Sequence, residues 1–283
     1  MTSHGRNEDL TFQTAASEPG RQPCWPSGFR TQAVRLSLTL ACLSVPLAVQ
    51  AQNLATLRTP DLARGLATDA GTLTALATQP APGRPARRAN FGQEAASPAS
   101  QEIAHWVVDS GDNRNLPFLI VDKAAARVFA FDPQGQLRGA AAVLLGLAVG
   151  DDSVPGIGER KLSSIRPEER TTPAGRFVAS LDRNLHGEEI LWVDYDTSIS
   201  LHRVVTSQPR ERRAQRLATP SPLDNRISYG CINVPVKFYD EVVSPAFTGT
   251  DGIVYVLPET RPAREVFGAY DVQARERLHI ATQ

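Results

Sequence analysis

Hydrophobic and polar positions fall into three regimes along the chain. Residues 34–49 (VRLSLTLACLSVPLAV) form one nearly continuous apolar stretch. From 52 to about 100 the chain is rich in Ala, Thr, Pro, Arg and Gln. There Leu54, Leu57, Leu62, Leu66, Leu73 and Leu76 are spaced for short amphipathic turns, whereas 80–88 (PAPGRPARR) reads as an extended tether. After Glu102 the pattern shortens to β-prone runs at 118–122, 127–131, 140–149, 177–180, 190–195, 199–205 and 252–257. Turn signals such as Asp132-Pro133-Gln134-Gly135 and Thr172-Pro173-Ala174-Gly175 punctuate them. Many short strands with frequent turns predict a mostly β domain, a sandwich or barrel, over 102–260. The remaining divisions are a leader at 1–51, a poorly packed stalk at 52–101 and a charged, partly helical tail at 261–283.

Two stretches inside the β region stand out. In 199–205, Ile199 and Leu201 share one face and Ser198, Ser200 and His202 the other, so His202 is turned away from the face its neighbours bury. Residues 206–226 then form a long connection carrying Arg210, Arg212, Arg213 and Arg216 against Glu211. A loop of this length is either a lid over a site or a solvated excursion.

Composition narrows the partners. The 283 residues carry 30 Lys plus Arg against 30 Asp plus Glu, and that neutrality argues against a nucleic-acid partner. The apolar run at 34–49 has Arg30 and Arg35 on its basic side, is broken by Pro46, and is followed by small residues, which predicts a signal peptide cleaved after Ala51. A membrane anchor is the other reading of this run, but it is short for a span, and no second run is long enough to cross a bilayer. The chain is thus expected to be exported, to the periplasm or the cell wall, without a stable membrane span once the leader is removed.

Of the three cysteines, Cys24 and Cys42 precede the cleavage point, so Cys231 is alone in the mature chain. It has no partner for an internal disulfide, and an unpaired thiol in an oxidising compartment points to use. A buried structural cysteine is the alternative. Its surroundings, 227–235 (ISYGCINVP), read as a tight strand-to-helix corner with a helix starting at Pro235. Gly230 lets the backbone turn closely, and the amides around Cys231 are candidates to converge on an oxyanion. His105, His186, His202 and His279 show no metal-ligand spacing with the cysteine, so neither metal nor cofactor is implied.

The order of these features resembles the L,D-transpeptidase catalytic domain, a family of cysteine enzymes that modify peptidoglycan. The residues that carry the resemblance are Thr172, Pro173 and Gly175, then His202, then Ser228, Gly230, Cys231 and Asn233, and it spans roughly 115–258. It implies a β-sandwich with a short helix after the cysteine, Cys231 as nucleophile and His202 as the base that generates its thiolate. It further implies Gly230, Ser228 and Tyr229 as oxyanion or positioning groups, and Asn233 and Arg203 at the substrate. The implied substrate is the peptidoglycan stem peptide, acylating Cys231 and then passing to an amine or to water; carbapenem-type β-lactams are the implied acylating inhibitors. Two positions depart from the family pattern: Tyr229 stands where a histidine is usual, and Arg203 where a glycine is usual. A transpeptidase, a hydrolase of the same fold and a catalytically silent wall-binding module are all compatible with the sequence.

Overall fold

The computed structural model describes residues 84–281; the apolar leader, its cleavage point after Ala51, Cys24, Cys42 and the stalk as far as 83 lie outside them. The first helix, α1 (Pro98–Ser110), starts where Ser97 accepts a hydrogen bond from the Ser100 amide, and it ends at Gly111 in the left-handed region. The strands follow as β1 (Phe118–Asp122), β2 (Arg127–Phe131), β3 (Leu137–Ala142), β4 (Leu145–Gly146), β5 (Gly175–Arg183), β6 (Glu189–Asp194) and β7 (Ile199–Arg203). Helix α2 (Arg213–Ala218) precedes β8 (Arg226–Ser228) and β9 (Ile232–Val234). Then come α3 (Val236–Phe238), a π-helical turn (Tyr239–Val243), α4 (Ser244–Phe247), β10 (Gly252–Val256), α5 (Ala263–Phe267) and α6 (Val272–Ala281).

Eight strands make one mixed sheet in the order β3-β2-β1-β10-β5-β6-β7-β9, and β4 and β8 form a two-stranded companion. The large sheet folds over itself at β5. Its first half, Gly175–Ala179, pairs with β10, while Ser180–Arg183 pair with β6. Leu119, Val121, Val128 and Val254 from one side of this fold join Leu191, Leu201, Ile232 and Val234 from the other in a single buried cluster. The expected β-rich class is therefore the observed one, with the core enclosed between two halves of one bent sheet. Period-two alternation places Phe118, Ile120, Phe129, Phe131 and Tyr255 on the outer face, where Ile103, Trp106 and Val107 of α1 cover them.

Residues on both flanks of the expected 102–260 span pack against it. The boundary at 102 falls inside α1, whose Ser100, Ile103 and Ala104 are buried, and Ala89 is buried as well. Asp109, at the end of α1, gathers the two flanks. It accepts hydrogen bonds from the Arg87 amide (2.9 Å), the Tyr270 hydroxyl (2.7 Å) and Arg275 of α6 (2.6 Å). At the other end of α1, Ser97 and Ser100 both donate to Asp122 at the tip of β1. Composition concealed part of this because these anchors are single polar residues, which add to the apolar packing of Ile103, Trp106 and Val107. Deleting residues 84–100 is thus expected to destabilise the domain by about 2–4 kcal/mol, from a lost cap and buried hydrogen bonds. Chemical denaturation of the truncated chain checks it; an unchanged midpoint would support the boundary at 102.

Among the described residues no helix is long and apolar enough to cross a membrane.

Candidate active site

The sequence placed Cys231 at a strand-to-helix corner, but a strand intervenes. Cys231 sits in a bend between β8 and β9, and the helix begins only after Pro235. Three residues bounded by Cys231 and Pro235 are too few to show an alternating pattern. Tertiary pairing makes them a strand: β9 lies parallel to β7, in the register Leu201↔Ile232, His202↔Asn233 and Arg203↔Val234. Leu201 and Ile232 are both fully buried in the core, so pleating sends Ser200, His202, Cys231 and Asn233 to the opposite face. The alternation read along β7 is thus what brings the histidine to the cysteine, although a long Arg-rich segment separates them in the chain.

The bend is fixed from several sides. Gly230 has φ 134°, and a Cβ there would approach Ile199 Cδ1 to 2.6 Å and the Thr171 carbonyl oxygen to 2.9 Å. The Ser228 hydroxyl donates to the Cys231 carbonyl (2.6 Å) and accepts from the Gly230 amide (3.1 Å). Thr172 donates from Oγ1 to the Gly230 carbonyl (2.7 Å) and accepts from the Gly146 amide (2.9 Å). Since the Gly230 N–H is engaged by Ser228, it is not poised to receive an oxyanion in this conformation. The expected run at 140–149 breaks into β3 and β4 for a related reason: after Val143 the chain leaves the large sheet to bond Asn225, Ser228 and Asn233.

Around the sulfur, the Ser200 hydroxyl donates to Cys231 Sγ at 3.6 Å, and Sγ lies 3.7 Å from the Ser198 carbonyl. His202 Nδ1 is 2.8 Å from the Arg203 carbonyl. A carbonyl only accepts, so Nδ1 carries the proton and Nε2 is the basic nitrogen. Burial pushes the imidazole down, but hydrogen bonding and charge attraction with Cys231 outweigh it and hold His202 above its ordinary value. For the thiol, burial acts upward and is outweighed by His202 and by hydrogen bonds from Ser200, so Cys231 is held below its ordinary value. Opposite displacements of this kind favour a thiolate beside an imidazolium.

Cys231 borders two cavities. The larger, about 960 Å³, is walled by Leu185, Ile190, Trp192, Val205 and Val236 and also reaches Ser200 and His202. A smaller one of about 70 Å³ lies on the side of Ile157, Arg160, Thr171 and Tyr229. Tyr229 is covered there by the Arg170 guanidinium, 3.9 Å from the ring centroid.

Two residues expected at the substrate are engaged within the protein. Arg203 binds Asp240 (2.6 Å) and the Glu189 carbonyl (3.0 Å) and lies over the Tyr239 ring. Asn233 is 1% exposed; its amide nitrogen donates to the Cys231 carbonyl (3.2 Å) and lies 3.5 Å from His202 Nε2, while its oxygen accepts from Arg213 (2.7 Å). Sequence reasoning missed Ser200 and Arg213. Ser200 was legible as a neighbour of His202 on the same face; Arg213 carried no signal beyond being one arginine among several. The segment 206–226 is not structureless, since it holds α2 between 3-10 turns at Pro209–Glu211 and Pro222–Asp224.

No family model matches the chain, and no curated protein matches it by sequence. Among solved structures it is similar to the helical cell shape determining protein Pgp2 from Campylobacter jejuni, with 15% identity and a TM-score of 0.34, over 59% of this chain and 54% of that one. It is similar to an L,D-transpeptidase from Xylanimonas cellulosilytica, at 12% identity and a TM-score of 0.32, over 50% of this chain and 60% of that one. A third likeness is to the catalytic domain of the E. faecium L,D-transpeptidase, at 17% identity and a TM-score of 0.29, over 50% of this chain and 98% of that one. The chain thus spans little more than half the length of Pgp2. Likenesses this distant define no family for it.

Proposed function

We propose that the chain is an exported cysteine L,D-transpeptidase acting on peptidoglycan stem peptides. The observation that carries this is that Cys231, just before β9, and His202, on the neighbouring parallel strand β7, lie on the same face of the sheet and line one largely apolar cavity. In the proposed reaction His202 Nε2 takes the Sγ proton, and the thiolate attacks the carbonyl carbon of the L,D-peptide bond. The C–S bond forms as the C–N bond breaks, and the imidazolium returns its proton to the departing D-amino acid. An acceptor amine then attacks the thioester, forming the new amide and releasing the thiol. Ser200 supports the thiolate through its hydroxyl, Ser228 and Gly230 hold the bend, and the Cys231 amide is assigned to the oxyanion. Arg203 and Asn233 act on the site's geometry; the apolar walls take the alkyl portions of the peptide.

Purified mature protein incubated with muropeptides, with products read by mass, tests the reading. Loss of a D-amino acid with appearance of a linked dimer is expected. Loss with only a water adduct would assign a hydrolase. No mass change would leave the wall-binding module.

A further inference from the structure

We propose that Arg213, on the segment joining β7 to β8, is a positioning residue for the Cys231–His202 pair, acting through the side-chain amide of Asn233. The inference rests on the dyad reading above. Asn233 is buried, and its two amide ends face different partners: the oxygen meets Arg213, and the nitrogen meets the Cys231 carbonyl and His202 Nε2. A guanidinium has only donors, so Arg213 admits only the amide oxygen on its side. This fixes the flip of Asn233 and keeps an N–H, not an oxygen, beside His202 Nε2. A rotated amide would offer its oxygen to a protonated Nε2 and set two oxygens together at the Cys231 carbonyl. Arg213 is itself held by Glu211 at 2.5 Å and is only 14% exposed.

Charge acts in the same direction. Both arginines near His202 carry a carboxylate partner, Arg203 with Asp240 after β9 and Glu189 of β6, and Arg213 with Glu211, so each acts on the imidazole with a reduced charge. The positive charge of Arg213 disfavours the imidazolium and favours the thiolate. Removing it moves both macroscopic steps of the coupled pair upward. The Arg-rich segment thereby has an assigned role: it carries a group that tunes the nucleophile, beyond covering a cleft.

The test is the pH dependence of Cys231 alkylation by iodoacetamide in the full chain, read by mass on the peptide that holds Cys231 so that Cys24 and Cys42 do not contribute. For Arg213→Met the limb that reports thiolate formation is expected to rise by about half a pH unit, a roughly threefold loss of rate on that limb. Arg213→Lys, which keeps the charge, restores most of it. In an Asn233→Ala background, Arg213→Met adds less than it does alone, because the two act in series. A wild-type profile in Arg213→Met, or a fall in melting temperature with no change in profile, overturns the proposal and makes Arg213 a tether for α2. Fully additive effects with Asn233→Ala also overturn it. His202→Ala is the separate control: if it leaves the alkylation profile unmoved, the dyad reading fails, whatever Arg213 does.

Discussion

Replacing His202 with alanine is expected to slow acylation of Cys231 by a carbapenem about a hundredfold or more at neutral pH, the range a positioned proton acceptor contributes. Cys231→Ala abolishes acylation, and Tyr229→Phe has a small effect, because the Tyr229 ring is held against Arg170. The pH dependence separates base from scaffold. In the native pair the imidazole is held above and the thiol below its ordinary value, so the thiolate is present on the acidic side of a free cysteine. Without the imidazole the thiol returns toward about 8.5 or higher, and acylation recovers as pH rises through that value. Intact-mass measurement of acylated protein at several pH values reads this. A His202→Ala protein that acylates at the wild-type rate at neutral pH would falsify the assignment of the base.

The second large effect lies in the buried ion cluster behind the cysteine bend. Lys123 is 1% exposed and donates to Asp151 (2.8 Å) and to the Thr172 carbonyl (3.0 Å), with Glu259 at 3.5 Å. Asp151 also accepts from the Glu259 and Thr260 amides, and Arg226 binds Glu259. Lys123→Met is expected to cost about 3–5 kcal/mol, because it strands buried carboxylates. Replacing Lys123 and Asp151 together by apolar residues costs less than the single change, since both halves of the pair leave. Thr172 is the link to the site: it loses a donor at its carbonyl, and its hydroxyl holds Gly230. Alkylation of Cys231 in the folded fraction therefore slows as well. Denaturation midpoints and alkylation rates together check this, and a Lys123→Met protein as stable as the wild type would remove the cluster from the account.

The same cluster sets an acid limit. Burial would raise the Asp151 carboxyl, but hydrogen bonds from Lys123, Thr260 and the local amides outweigh it and hold it well below the usual carboxylate range. A folded value below the unfolded one contributes stability above the unfolded value and loses it as pH falls toward the folded one. Unfolding midpoints should therefore fall below about pH 4, and an Asp151→Asn protein should show a weaker acid dependence.

Sequence alone determined what is local. Short β-prone runs between turn signals marked most of the strands, and alternation along 199–205 put His202 on the opposite face from Leu201; the Gly-Cys pairing marked the bend; Thr172 was flagged within its turn. Those readings hold because a strand's facing and a turn's chemistry depend on residues a few positions apart. Tertiary structure decided the rest. Ile232–Val234 became a strand only by pairing with β7, and that register, set by the shared burial of Leu201 and Ile232, is what joins His202 to Cys231. Arg203, at the wall of the cleft, is tied to Asp240, Asn233 is turned toward Arg213, and Lys123 is held in the interior by carboxylates distant in the chain. A charged side chain's place depends on which opposite charges the fold delivers to it, and long-range pairing is absent from any local pattern of hydrophobic and polar residues.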